Sequence, residues 1–297
     1  MQEQAKTRTT PTGEPLRLSF EFFPPKSTSG SESLTRVVGR LEEVAPTFYS
    51  CTYGAGGSTR SGTLQTIEQL LALGVDAAPH LSIGADDKAA VFTLLDQYQA
   101  LGVKRIVALR GDVPSGMGAS RIIHNAESLV GWIRDHSEGH FHIEVAAYPE
   151  VHPDADSWES DLAFFAAKVA AGANSAITQY FYNPHAYYDF MERVRQAGIE
   201  LPIYPGVMPI TNVEGIVRFS AKCGADVPRW LLKRMESLAD DEAGLRNFGI
   251  DYLSRMCEEL LAYGAPGLHF YTLNRWGASR AICDNLGLAG RPGDPAA

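Results

Sequence analysis

The chain has 297 residues, 45% of them hydrophobic and 21% charged, the balance of a globular fold rather than of a disordered or fibrous one. Its formal charge of −9 leaves no clustered Lys and Arg for a phosphate backbone, so nucleic acid is not an expected partner. Four widely spaced cysteines, Cys51, Cys223, Cys257 and Cys283, form no CxxC pair, which excludes a disulfide framework or a zinc ribbon.

Residues 1–15 are polar, contain no apolar signal segment and are expected to be mobile. Short β-rich runs then alternate with amphipathic helical stretches. Strands are expected at 16–23 (LRLSFEFF), 47–53 (TFYSCTY), 76–83 (DAAPHLSI), 105–111 (RIVALRG), 142–150 (HIEVAAYPE), 175–182 (SAITQYFY), 202–209 (PIYPGVMP) and 267–274 (GLHFYTLN). Between them, stretches such as SLTRVVGRLEEVA and KAAVFTLLDQYQALG repeat apolar residues at helical spacing. Gly74, Gly102, Gly172 and Gly198 stand where helices should stop, suiting the left-handed cap. The stretch 213–263 holds two or three helices before the last strand. Eight such units predict an α/β fold over 16–288, a (β/α)8 TIM barrel with an extra helical insertion before strand eight. A doubly wound open sheet is the competing architecture. The segment 289–297 is rich in Gly, Pro and Ala and is expected to be a mobile tail. No run approaches the roughly 18 apolar residues of a membrane span, so no membrane partner is expected and a reducing cytoplasm is the expected setting.

In a barrel the chemistry belongs at the C-terminal strand ends. The polar residues there are Glu21, Thr52, Tyr53, His80, Arg110, Asp112, Tyr148, Glu150, Gln179, Tyr271, Asn274 and Arg275. Glu21 interrupts the aromatic run FEFFPP, and apolar walls from Phe20, Phe22 and Phe23 would raise its pKa toward that of a general acid. The plainer reading is a solvated strand-end carboxylate. Asp112 and Arg110, within RGD, read either as pocket groups or as a structural ion pair. GAGGST (54–59) lacks the third glycine of a dinucleotide fingerprint, so it is a phosphate-binding turn or a flexible loop. His140 and His142 precede strand five, at the wrong end of the barrel, and are read as surface residues. Of seven lysines only Lys26 lies near a strand end, which disfavours Schiff-base chemistry. No metal-binding motif appears.

The motifs SFEFFPPK (19–26), TYGAGGS (52–58), AAPHLS (77–82), IVALRGD (106–112), AAYPEVHP (146–153), ITQYFYN (177–183), PGVMPI (205–210) and HFYTLNR (269–275) follow one another in order. Together they resemble the bacterial type of methylenetetrahydrofolate reductase, from about Ser19 to Leu286. The resemblance implies that hydride passes from NADH or NADPH through FAD to 5,10-methylenetetrahydrofolate in a ping-pong sequence. It makes Glu21 the general acid and Asp112 the charge that favours the cationic folate iminium. It places Thr52, Tyr53, Ala55, His80, Arg110, Gly111, Asp112, Ala126, Tyr148, His152, Ala155, Asp161 and Lys168 against FAD. Gln179, Phe219, Tyr271 and Arg275 fall on the substrate side. A folate is the implied partner, with a homo-oligomer left open.

Two positions depart from the family pattern. Within DLAFFAAK (161–168), enterobacterial members carry Asn and Arg where this chain has Phe164 and Ala167, so two polar FAD contacts are lost and weaker flavin binding is expected. Direct hydride transfer from NADH to folate without a flavin is therefore the alternative. A proline-dehydrogenase type of flavin barrel would lack the Glu21 and Gln179 motifs, and a storage protein would need no proton donor.

Overall fold

The strands are β1 (Arg17–Phe22), β2 (Phe48–Cys51), β3 (Ala77–Ser82), β4 (Arg105–Leu109), β5 (His142–Ala147), β6 (Ser175–Tyr180), β7 (Ile203–Val207) and β8 (Gly267–Tyr271). In this computed structural model, which describes residues 9–10, 13, 15–53, 60–82, 88–109 and 126–288, each strand pairs in parallel with the next. The pairing of β8 with β1 closes the barrel and removes the open-sheet alternative.

The helices are α1 (Thr28–Leu41), α2 (Arg60–Ala72), α3 (Lys88–Ala100), α4 (Ala126–Ser137), α5 (Trp158–Ala170) and α6 (Pro184–Gln196). They continue as α7 (Val213–Cys223), α8 (Arg229–Glu236), α9 (Glu242–Tyr263) and α10 (Gly277–Asn285). The expected insertion before β8 thus consists of α8 and α9 following α7. Local chemistry sets the boundaries. Ser27, Ser157, Asn183, Asn212 and Asp241 each accept a backbone N–H at a helix start, satisfying donors that the helix cannot. All four expected glycine stops have positive φ.

The strands end earlier than the sequence pattern suggests. The β-like composition continues past the ladder because the strand-end residues leave it to form the rim. At β5 the reason is plain, since Pro149 cannot donate to a ladder.

Outward-facing aromatics meet the helical layer: Phe20 stacks on Tyr49 and Phe270, and Phe22 on Tyr49. Inside the barrel a smaller apolar layer of Phe48, Ala78, Val107 and Ile177 packs with Leu109 and Tyr271. Below it, Glu144 is fully buried, bonded by Arg105 and by Ser175 Oγ at 2.6 Å. His142 Nε2 lies 2.6 Å from Ser175 Oγ and 3.4 Å from Glu144. This corrects the surface reading of His140 and His142, both of which are half-buried. A carboxylate inside a barrel needs donors around it, and His142, two residues before Glu144 on the same strand face, helps to form that shell. His140 Nε2 instead lies 2.9 Å from the Val103 carbonyl.

Candidate active site

Period-two alternation turns Glu21 into the barrel while Phe20 and Phe22 face out. The expected aromatic walls therefore do not surround its carboxylate. Imidazoles do: His80 Nε2 of β3 lies 3.4 Å from Glu21 Oε2, and His269 Nε2 of β8 lies 3.6 Å from the same oxygen. His269 Nδ1 is held at 2.8 Å by Ser19 Oγ, one inward position below Glu21 on β1. Burial holds the His80 imidazole below its usual range, outweighing the opposing pull of the Glu21 carboxylate.

Around this carboxylate the barrel leaves polar atoms unsatisfied. Among the described residues, buried side-chain atoms without a partner are Ser50 Oγ, Thr52 Oγ1, His80 Nε2, His269 Nε2 and Ser279 Oγ. The first four lie on, or just beyond, β2, β3 and β8. Strands β2 and β8 flank β1, with Ser50 in register with Glu21. Buried polar groups are ordinarily paired, so such a concentration at one end of the barrel marks a surface shaped for a polar ligand.

A second cluster forms beyond β5. The Tyr148 and His152 rings meet edge to face at 4.5 Å, and the His152 N–H donates to Asp161 Oδ2 at 2.9 Å. One helical face of α5 carries Asp161 and Lys168. Lys168 Nζ donates to the Ala146 carbonyl at 2.5 Å, and burial brings its pKa down to about 8. Ala155 closes the intervening turn by donating to the His152 carbonyl.

Gln179 sits in a register irregularity of β6 between Ile177 and Tyr180. There Gly206 N–H of the neighbouring β7 donates to Thr178 Oγ1, and Tyr271 Oη of β8, one strand further round, donates to the Thr178 carbonyl. An irregularity of this kind re-aims one side chain, and Gln179 with Tyr148 lines a cleft that also contains Glu150, Tyr180 and Cys223. A Cβ at Gly206 would lie 2.3 Å from the Thr178 carbonyl oxygen, so only glycine permits this closure. Tyr271 is thereby committed to the barrel wall through its hydroxyl.

The remaining expected residues are less tightly joined. Tyr53 is half-buried beyond β2 and Ala126 opens α4. Phe219 on α7 and Arg275 after β8 are exposed and belong to neither cluster. Ala55, Arg110, Gly111 and Asp112 lie outside the described residues. Asn274 proves structural: its amide accepts from Phe23 N–H at 2.8 Å and donates to the Phe23 carbonyl at 2.9 Å. Sequence reasoning missed Ser19 and His269, although the alternation that turns Glu21 and Tyr271 inward carries back to both. On α5, Phe164 is 59% exposed and Ala167 half-buried.

A family model described as methylenetetrahydrofolate reductase matches residues 6–287. The chain is 38% identical over 279 residues to the 5,10-methylenetetrahydrofolate reductase of Salmonella typhimurium, covering 94% of this chain and 92% of that one, and the Escherichia coli protein matches equally. Methylenetetrahydrofolate reductase (NADH) 1 of Arabidopsis thaliana is 37% identical over 91% of this chain but 48% of that longer protein. Among solved structures, a Clostridium thermocellum protein described as binding two copies of 5-methyl-5,6,7,8-tetrahydrofolic acid shares the fold, with TM-score 0.67 and 15% identity over 92% of this chain and 94% of that one.

Proposed function

The chain belongs to the methylenetetrahydrofolate reductase family, and from that membership we propose that it reduces 5,10-methylenetetrahydrofolate to 5-methyltetrahydrofolate with NADH or NADPH as donor and FAD as carrier, in a ping-pong sequence that feeds methionine synthesis. The observation that carries this reading is Glu21, set among the buried unpartnered atoms of Ser50, Thr52, His80 and His269 at the C-terminal end of the barrel.

The residues present fit a flavin. Thr52 Oγ1 and His80 Nε2 are buried polar atoms still lacking partners, and a ring edge rich in donors and acceptors supplies them. Tyr148, His152, Asp161 and Lys168 would hold the rest of the dinucleotide, with Lys168 able to meet its phosphates. FAD, when bound, supplies a two-electron carrier that nicotinamide and folate use in turn.

The protein's own part is proton placement and orientation. Glu21 holds a proton at its carboxyl and delivers it to the folate as the five-membered ring opens. His80, kept neutral by burial, and His269, oriented by Ser19, flank the carboxyl from two sides. Gln179, re-aimed by the β6 irregularity, and Arg275 and Phe219 at the rim would contact the folate, while Asp112 would favour its cationic form.

The visible spectrum of the purified protein tests the reading. Flavin bands that NADH bleaches and methylenetetrahydrofolate restores are expected, whereas flavin bands that folate leaves bleached would overturn it. A second reading, hydride passing directly from NADH to folate, is favoured by the apolar Phe164, 59% exposed, and Ala167 on α5, where the family pattern has polar groups. Folate reduction by a protein without flavin bands would select that reading.

A further inference from the structure

The turn between β5 and α5 carries two sets of groups. It presents Tyr148 and His152, the residues assigned above to the cofactor. From the same turn, Glu150 Oε2 accepts the Asp226 N–H at 2.8 Å, across 76 residues of sequence, from the connection between α7 and α8. Beside that bond Pro153 packs on Gly224, the left-handed cap of α7, where an added Cβ would lie 2.5 Å from Pro153 Cγ. Tyr180 Oη and Ser220 Oγ, 3.1 Å apart, tie the same helix to the end of β6. The turn holds its shape at a cost, because Val151 between Glu150 and His152 has φ 70°, a left-handed conformation that a β-branched residue avoids. Such local strain persists only where surrounding contacts enforce it.

Phe219 stands on α7 next to Ser220 and is 37% exposed. Three contacts, from Glu150, Pro153 and Tyr180, therefore join the core packing of Ile216 in setting where α7 presents this ring. Two of them belong to the turn that carries Tyr148 and His152.

We propose that Glu150 is a positioning residue for the second substrate: by accepting the Asp226 N–H it fixes α7, and with it Phe219, relative to the cofactor-binding turn. The turn then acts as one rigid piece with a cofactor face and a folate face. This inference rests on the reading of the site given above for its consequence on folate, but not for the latch itself.

Two measurements keep these parts distinct. Hydrogen exchange over residues 213–228 is compared in the parent, Glu150→Gln and Glu150→Ala. Glutamine retains an acceptor oxygen, so it should protect the segment as the parent does, while alanine should speed exchange there and leave α10 unchanged. Equal exchange in all three proteins overturns the latch. Steady-state kinetics follow on the same proteins. Alanine should raise KM for methylenetetrahydrofolate roughly five- to tenfold, the affinity equivalent of one hydrogen bond. It should leave kcat and NADH oxidation with an artificial acceptor within twofold of the parent, and glutamine should restore KM. Loss of both half-reactions together, or an unchanged KM despite faster exchange, overturns the positioning role. A parent protein that oxidises NADH yet reduces no folate overturns the functional reading instead, and the exchange data still decide the latch.

Discussion

Glu21 lies between two imidazoles, 3.4 and 3.6 Å from its Oε2, and as the proposed proton donor it would serve only the folate half-reaction. A Glu21→Gln variant keeps the shape and the hydrogen-bonding capacity but has no proton to give. It should retain FAD and NADH oxidation with an artificial acceptor, yet lose about 10²–10⁴ in folate reduction rate, the usual contribution of general acid catalysis. Single-turnover kinetics of each half-reaction check this, and folate reduction within a few-fold of the parent would remove Glu21 from the role. The departure at Ala167 is a matter of affinity rather than of chemistry. A charge-assisted hydrogen bond is worth about 1.5–3 kcal/mol, so Ala167→Arg should tighten FAD binding roughly ten- to hundredfold. Fluorescence titration of the apoprotein measures both constants, and a parent that already binds as tightly as the variant would mean that the lost contact is made up elsewhere.

At the level of elements, β1 and β8 are joined beyond their ladder by the Asn274 amide, which satisfies both backbone groups of Phe23 from a left-handed conformation, φ 58°. Asn is among the few residues that adopt that conformation readily. Asn274→Ala should therefore cost about 1–3 kcal/mol for each backbone group left unpaired and lower the thermal midpoint by a few degrees. Asn274→Asp, which keeps the acceptor, should lose less, and equal melting of all three proteins would deny the clamp its part. This bond joins residues 251 apart, which is why Asn274 reads in the sequence as one more polar strand end. The elements were legible because each carries its own signal: period two in the strands, period 3.6 in the helices, a glycine at the stops. Glu21 and His80 were legible for the same reason, as inward positions near the ends of recognisable strands. The irregularity that aims Gln179 was not, since it is a relation between β6 and β7 that neither sequence contains. Nor was the bond from Glu150 to Asp226, which depends on how α7 settles against a distant turn.

For the molecule as a whole, two carboxylates, Glu144 buried inside the barrel and Glu150 half-buried in the turn beyond β5, pull stability in opposite directions with pH. Burial alone would raise Glu144, but His142, Arg105 and Ser175 hold it below the ordinary carboxylate range; its contribution is present above the unfolded pKa of about 4.3 and is lost in acid. Glu150 is raised by burial to about 7, its bond to the Asp226 N–H opposing only part of the shift. The folded chain thus binds this proton more tightly than the unfolded one, and the corresponding stability is present below about pH 4.3 and lost as pH rises through about 7. Glu150→Gln removes that loss, so its thermal midpoint should gain on the parent between pH 5 and pH 8, and an offset independent of pH would contradict the assignment. The distribution of thiols has a practical consequence. Cys51, Cys257 and Cys283 are buried inside the protein, whereas Cys223 is half-buried in the cleft with Gln179 and Glu150. Desolvation raises all three buried thiols, those of Cys51 and Cys283 to about 12, so their reactive thiolates are scarce near neutrality. Mild alkylation of the native protein should therefore add a single label, at the end of α7, giving a spectroscopic probe close to the β5–α5 turn without any engineered residue.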